Sequence, residues 1–293
     1  MASCIRIIGI TIKARTNGIF GRIMNLSVVP DFSGCLKPIA KPKLRNMVMK
    51  TWILALSALL ALPVQAKFVE IHDSDGYTNL RAEANTQSRV ITRINNGRFV
   101  YIISDDAVPQ SPPKNWLFVR YRDDKNQLQD GWLHQSRVRE LGGKTINHTK
   151  SVRGFACTHS DVQLYVEMGK FDYTTNKKHF GGKNLNSQYP ILHTYKGKTM
   201  YGTDGGIPST AYTSMTLVQN GRRHVIAPAA FEHLFNPYFE DSDKGIDHIC
   251  QYDAKRKRLY LQAWNSDGAG SYAVLFVFEN GKVREVLPMD RTF

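Results

Sequence analysis

Three Asn-Gly pairs, Asn96-Gly97, Asn220-Gly221 and Asn280-Gly281, each lie between runs of apolar and β-branched residues. Asn-Gly suits the positive-φ positions of a two-residue hairpin turn, so with such flanks it favours antiparallel strands over helices. "SMTLVQNGRRHVIA" reads as one hairpin, and "KRLYLQAWNSDGAGSYAVLFVFENGKVREV" as three consecutive strands. The stretch "DGYTNLRAEANTQSRVITRINNGRFVYII", Asp75 to Ile103, has a polar middle that invites a helix instead. On a helix, however, Leu80, Val90, Ile91 and Ile94 make no continuous apolar stripe, and the turns between Leu80 and Val90 would have no core contact. As strand, polar loop, strand, the same residues alternate. The one helical candidate is "PAAFEHLFNPYF", which Pro237 stops. The chain reads as mainly β.

Residues 47–66, "MVMKTWILALSALLALPVQA", have the form of a secretory signal peptide. Lys50 supplies the charge, Trp52 to Leu62 the apolar core, and Val64 and Ala66 the small residues before a cleavage site. The apolar run is shorter than the roughly 20 residues a spanning helix requires. No membrane span is therefore expected once the signal is cleaved, and the protein is expected in the periplasm or outside the cell. Residues 1–46 precede this signal and read as an over-called start or a long n-region. The formal charge of +14 would suggest a nucleic-acid partner, but residues 1–66 hold nine basic residues and one acid. About +6 remains for the rest, which is ordinary for a secreted globular protein and removes the case for nucleic acid. Two cysteines remain after the signal, Cys157 and Cys250, and in an oxidising compartment they are expected to form a disulfide. "LGGKTINHTKS", Leu141 to Ser151, has paired glycines and no periodicity, so residues 142–151 read as a linker.

From Phe68 to about Leu141 the order of elements is specific. "TNLRAEANTQSRVITRINNG" is followed by "RFVYIIS", a Pro-rich loop, "NWLFVRY" and "DGWLHQSRV". This succession resembles the bacterial SH3-like (SH3b) domain. The resemblance implies a small barrel over 67–141 that binds cell-wall peptide or a protein partner in a shallow groove lined by aromatic and polar side chains. Ala82-Glu83-Ala84 stands where that family usually has Ser-Gly-Pro, and the loop between Ser104 and Asn115 is long; both bear on the ligand more than on the strands. Candidate ligand-binding residues are Tyr77, Arg81, Tyr101, Trp116 and His134, with Trp132 assigned to the core. Residues 152–293 are β-rich and resemble no family, and are expected to form a sandwich, a barrel or propeller-like blades.

No catalytic residue is assigned. In "CTHSD", Cys157, His159 and Asp161 would share one face of a strand, as a Cys-His nucleophile requires, but a cystine at Cys157 removes that chemistry. In "EDSDKGIDH" the alternate acids Asp241, Asp243 and Asp247 suit calcium, yet the loop lacks the closing Glu of an EF-hand. The nine histidines show no metal-ligand spacing, and no motif calls for a cofactor. The leading expectation is a non-enzymatic binding protein; the alternatives are an inhibitor or immunity-type factor for a periplasmic enzyme, or a cell-wall hydrolase with its active site in the second half.

Overall fold

A computed structural model describes residues 67–103, 113–237 and 248–290. The leader, the signal segment, most of the Pro-rich loop and the acidic stretch considered for calcium lie outside the described residues. The described part is mainly β, with twenty strands and one short helix.

The first seven strands are β1 (Lys67–Ile71), β2 (Tyr77–Arg81), β3 (Val90–Asn95), β4 (Phe99–Ile102), β5 (Trp116–Arg122), β6 (Leu128–His134) and β7 (Val138–Glu140). They form one antiparallel sheet in the order β3-β2-β6-β5-β4-β1-β7. The β2–β3 pairing, Tyr77 opposite Asn95 and Leu80 opposite Thr92, is the strand–loop–strand arrangement read from the sequence. The sheet curls around Val69, Ile71, Leu80, Ile94, Val100, Val119 and Leu133. It does not close into a barrel: β3 and β7 are its two edges, and β2 meets β6 only through Arg81 and Trp132.

The remaining strands are β8 (Lys144–Thr145), β9 (Asn147–Ser151), β10 (Gly154–Thr158), β11 (Val162–Lys170), β12 (Phe180–Lys183), β13 (Ile191–Tyr195), β14 (Lys198–Thr199), β15 (Thr210–Gln219), β16 (Arg222–Val225), β17 (His248–Asp253), β18 (Arg258–Asn265), β19 (Tyr272–Glu279) and β20 (Lys282–Asp290). Two five-stranded sheets, β16-β15-β11-β10-β9 and β20-β19-β18-β17-β8, face each other, and a small sheet β12-β13-β14 stands beside them. Of the architectures open to the second half, the structure adopts the sandwich. Its core joins Phe155, Leu164, Val166, Met215 and Leu217 of one sheet to Leu259, Leu261, Val274, Phe276 and Phe278 of the other. The disulfide Cys157–Cys250 links β10 to β17 across this core, as the two-cysteine count suggested.

The other face of the β17–β20 sheet is covered as well. Tyr260, Ala273, Leu275, Val277, Leu287 and Met289 pack against Phe68, Phe99, Tyr101, Ile103 and Leu141 from the first sheet. This explains the uninterrupted apolar run of β19, "YAVLFVF". Even-numbered side chains face the sandwich core and odd-numbered ones the first sheet, so neither set meets water.

Two expectations need correction. The stretch read as a linker runs in β8, paired with β17, and in β9, paired with β10; its side chains are polar because both are edge strands. All described residues belong to one compact unit. "PAAFEHLFNPYF" forms no α-helix over its described part: after a 3-10 turn at Pro228–Ala230, Leu234 bridges to Tyr201 and Phe235 to Ala211. Phe231, Leu234 and Phe235 are all fully buried, and an extended chain can deliver adjacent side chains to different cores where one helical face cannot.

Candidate functional site

The period of β2 decides what the first sheet offers to solvent. Thr78 and Leu80 point into the fold, while Tyr77, Asn79 and Arg81 share the outer face. Across the sheet, β5 and β6 bring Trp116 opposite His134. Their rings meet edge to face, with centroids 5.5 Å apart. Together these side chains line a groove of about 310 Å³, completed by Asp73, Asp75, Thr86, Ser136 and Arg137. Four of the five residues singled out in the sequence, Tyr77, Arg81, Trp116 and His134, therefore stand in one groove.

The fifth does not. Tyr101 is 2% exposed, and its ring lies 4.9 Å from that of Phe68, between the first sheet and the β17–β20 sheet. Strand β4 is covered on both faces, so no residue of it reaches a ligand surface. Trp132, assigned to the core, is 8% exposed and packs on Phe118.

Each groove wall is held from behind. The Arg93 guanidinium stacks 4.8 Å from the centre of the Tyr77 ring, fixing its angle. Arg81 donates to the Ser88 carbonyl at 2.8 Å, which ties β2 to the polar loop. His134 Nδ1 lies 2.8 Å from Ser136 Oγ and 3.4 Å from the Ser136 backbone N–H, which holds the ring in place. Asp73, buried, accepts from Arg137 at 2.7 Å and from the Asp75 backbone N–H at 3.0 Å. Asn79 Oδ1 is buried in the groove wall with no hydrogen-bond partner among the described residues. Asp75 is exposed at one end. The groove thus offers aromatic faces, a guanidinium, a carboxylate and amide groups, a mixture suited to a peptide carrying both charges. Asp73, Asn79 and Arg137 were not singled out in the sequence. Asn79 was accessible through its two-residue spacing between Tyr77 and Arg81; the Asp73–Arg137 pair spans 64 positions and left no local sign.

The "CTHSD" candidate comes apart. Cys157 is fully buried and disulfide-bonded. His159, Ser160 and Asp161 form the turn after β10, where Ser160 Oγ lies 3.3 Å from His159 Nδ1 and donates to Asp161 at 2.9 Å. His159 and Ser160 line a second, wider hollow with Lys144, Asn147 and Tyr252 at the edge of the sandwich. The seryl hydroxyl donates to the neighbouring carboxylate, and His159 Nδ1 accepts from the Asp161 backbone N–H at 3.2 Å.

Comparison with protein families, with curated proteins and with solved structures finds no match for the chain. The groove is therefore read on its own geometry.

Proposed function

We propose that the protein is a secreted, non-enzymatic binding protein whose first sheet takes a short peptide of the cell-wall stem type in the Tyr77–Trp116 groove. One observation carries this reading: Tyr77, Arg81, Trp116 and His134, from three strands, converge on one concave surface with a carboxylate at its end. Aromatic faces supply contact area at low entropic cost, and Arg81 and Asp75 would meet the opposite charges of a zwitterionic peptide. Supporting export, the Cys157–Cys250 disulfide suits an oxidising compartment such as the periplasm. The hydrolase reading loses its nucleophile to that bridge.

The test is a pull-down of the protein on insoluble peptidoglycan with assay of the supernatant for released fragments, followed by calorimetric titration with soluble stem peptides. Retention without release, weakened by Trp116→Ala and Tyr77→Ala, is the expected result. Release of fragments would overturn the non-enzymatic reading. A protein that stays free would turn the groove over to a periplasmic protein partner.

A further inference from the structure

Charge is spread unevenly along this chain. Between Lys170 and Met200 there are six lysines, no arginine and a single acid, Asp172. That excess of five accounts for nearly all of the charge of about +6 carried by everything from Lys67 onward. These residues build one lobe, the small β12-β13-β14 sheet and the turns leading into it.

The lobe has a firm base. Phe171, Phe180, Tyr195 and Phe235 pack ring against ring beneath it, with Phe180 4.8 Å from Tyr195 and Phe171 4.9 Å from Phe235. Above that base the apolar residues turn outward. Tyr189 is 78% exposed, Ile207 46% and Ile191 42%. None of them belongs to a loose strand end. Ser187 N–H donates to the Asn184 carbonyl and Tyr189 N–H to Ser187 Oγ, which closes the loop before β13. Leu192 N–H donates to the Gly205 carbonyl at 2.7 Å, and this seats the segment bearing Ile207 against Ile191.

Lys183 borders this apolar patch, and Lys177 and Lys178 stand at the other end of the same small sheet. Lys183 is the cross-strand partner of Ile191, so the two side chains share a face. Lys177 and Lys178 are exposed on the turn entering β12, and with Lys183 they form no ion pair among the described residues. Lys196, in contrast, is neutralised by Glu232 at 2.6 Å. The absence of arginine decides between anionic partners. Guanidinium forks grip individual phosphates and stack on bases, whereas lysines act as point charges that sum against a diffuse anionic surface. Exposed tyrosine and isoleucine beside lysine is the composition of an interfacial membrane contact.

We propose that this lobe docks on an anionic phospholipid surface, with Lys177, Lys178 and Lys183 over the head groups and Tyr189, Ile191 and Ile207 entering the interface. The site is separate from the peptide groove and does not depend on it.

The experiment is flotation of the full chain with phosphatidylcholine vesicles containing or lacking phosphatidylglycerol, at low and high salt. The leader contributes equally in every variant, so differences between variants report the lobe. Lys177→Glu/Lys178→Glu/Lys183→Glu is expected to weaken binding to the anionic vesicles at least ~10-fold at low salt, while binding to neutral vesicles is unchanged. The equivalent reversal at Lys125, Lys255 and Lys282, all exposed elsewhere, is expected to cost under ~3-fold, which separates a local surface from net charge. Tyr189→Ser/Ile191→Ser should weaken the residual binding at high salt. Equal loss from both triple reversals would overturn the proposal, as would a lobe reversal without effect. If the lysines matter but Tyr189→Ser/Ile191→Ser changes nothing, and soluble polyphosphate competes fully, a polyanion replaces the membrane and the proposal also fails.

Discussion

Glu70 of β1 accepts a hydrogen bond at 3.0 Å from Arg256, which lies 186 positions away in the turn between β17 and β18. The same carboxylate is held by Arg139 of β7 at 2.8 and 3.1 Å, and Arg258 approaches to 3.9 Å. Its side chain is 3% exposed, so one buried carboxylate serves three guanidiniums at the junction of the first sheet with the sandwich.

Replacing Glu70 by Gln should therefore be costly. Removing one partner of a buried ion pair leaves uncompensated charge and typically destabilises by about 3–5 kcal/mol. Burial pushes the Glu70 carboxyl up, but the hydrogen bonds and charges of Arg139 and Arg256 outweigh it and hold it below the usual carboxylate range. A lowered folded pKa means this contribution is complete above the unfolded value and is lost as pH falls through the folded one. In urea titrations Glu70→Gln should lower the midpoint at pH 7, and the deficit should shrink below about pH 4.

Two histidines set a second acid dependence. Burial, with a smaller effect of His148, lowers His248 to about 3, and burial with Lys198 lowers His233 to about 4. His248 sits against Phe155, ring centroids 4.3 Å apart, with Nε2 buried and without a hydrogen-bond partner among the described residues. The unfolded chain binds protons at these residues from about pH 6.5 downward, and the folded one does not until about 4 for His233 and about 3 for His248. Stability should therefore fall as pH drops below 6.5, by up to about 1.4 kcal/mol per pH unit for each histidine. His248→Phe should flatten the pH dependence of the melting temperature between pH 6.5 and 4; an unaltered slope would assign the effect elsewhere.

Tyr101 and Trp116 should separate stability from binding. Tyr101→Ala opens a cavity between the first sheet and the sandwich and should cost about 3–5 kcal/mol, as for other buried aromatics. Trp116→Ala at the half-exposed groove wall should shift the melting temperature little and weaken peptide binding about tenfold or more. Measuring both quantities on both variants distinguishes a core role for Tyr101 from a groove role for Trp116.

The disulfide closes a separation of 93 residues. On the loop-entropy estimate it is worth about 4–5 kcal/mol. Cys157→Ser/Cys250→Ser should unfold at correspondingly lower urea, and reductant should bring the parent protein to the same midpoint without moving the double variant.

How legible the fold was in the sequence depended on the range of the interaction. Asn220-Gly221 and Asn280-Gly281 both take positive φ at both residues and close the β15–β16 and β19–β20 hairpins, as local turn chemistry requires. Asn96-Gly97 looks the same in the chain but does something else. Only Gly97 is at positive φ, β3 and β4 are not paired, and the Asn96 side chain instead exchanges hydrogen bonds with the Asp73 backbone at 2.8 and 2.7 Å. A dipeptide records the bend it permits, not the strand that will lie beside it. That Tyr77, Arg81, Trp116 and His134 share one groove follows from strand alternation and the order of motifs, which are local. Tyr101 differs because it is buried in a cluster that joins the first sheet to residues such as Leu275 and Leu287, far along the chain. The lysine-rich lobe was hidden for another reason: its charge was averaged into a total dominated by the leader.

Strand β19 has two dry faces and no outer one. A small β-sheet unit at one end of a chain is commonly pictured as a cassette, attached by a tether and free to be exchanged. This one is not portable in that sense. Lifting it away would bare Leu275, Val277, Leu287 and Met289 and strand the arginines around Glu70. The groove and the sandwich share one core and hold together as a single object.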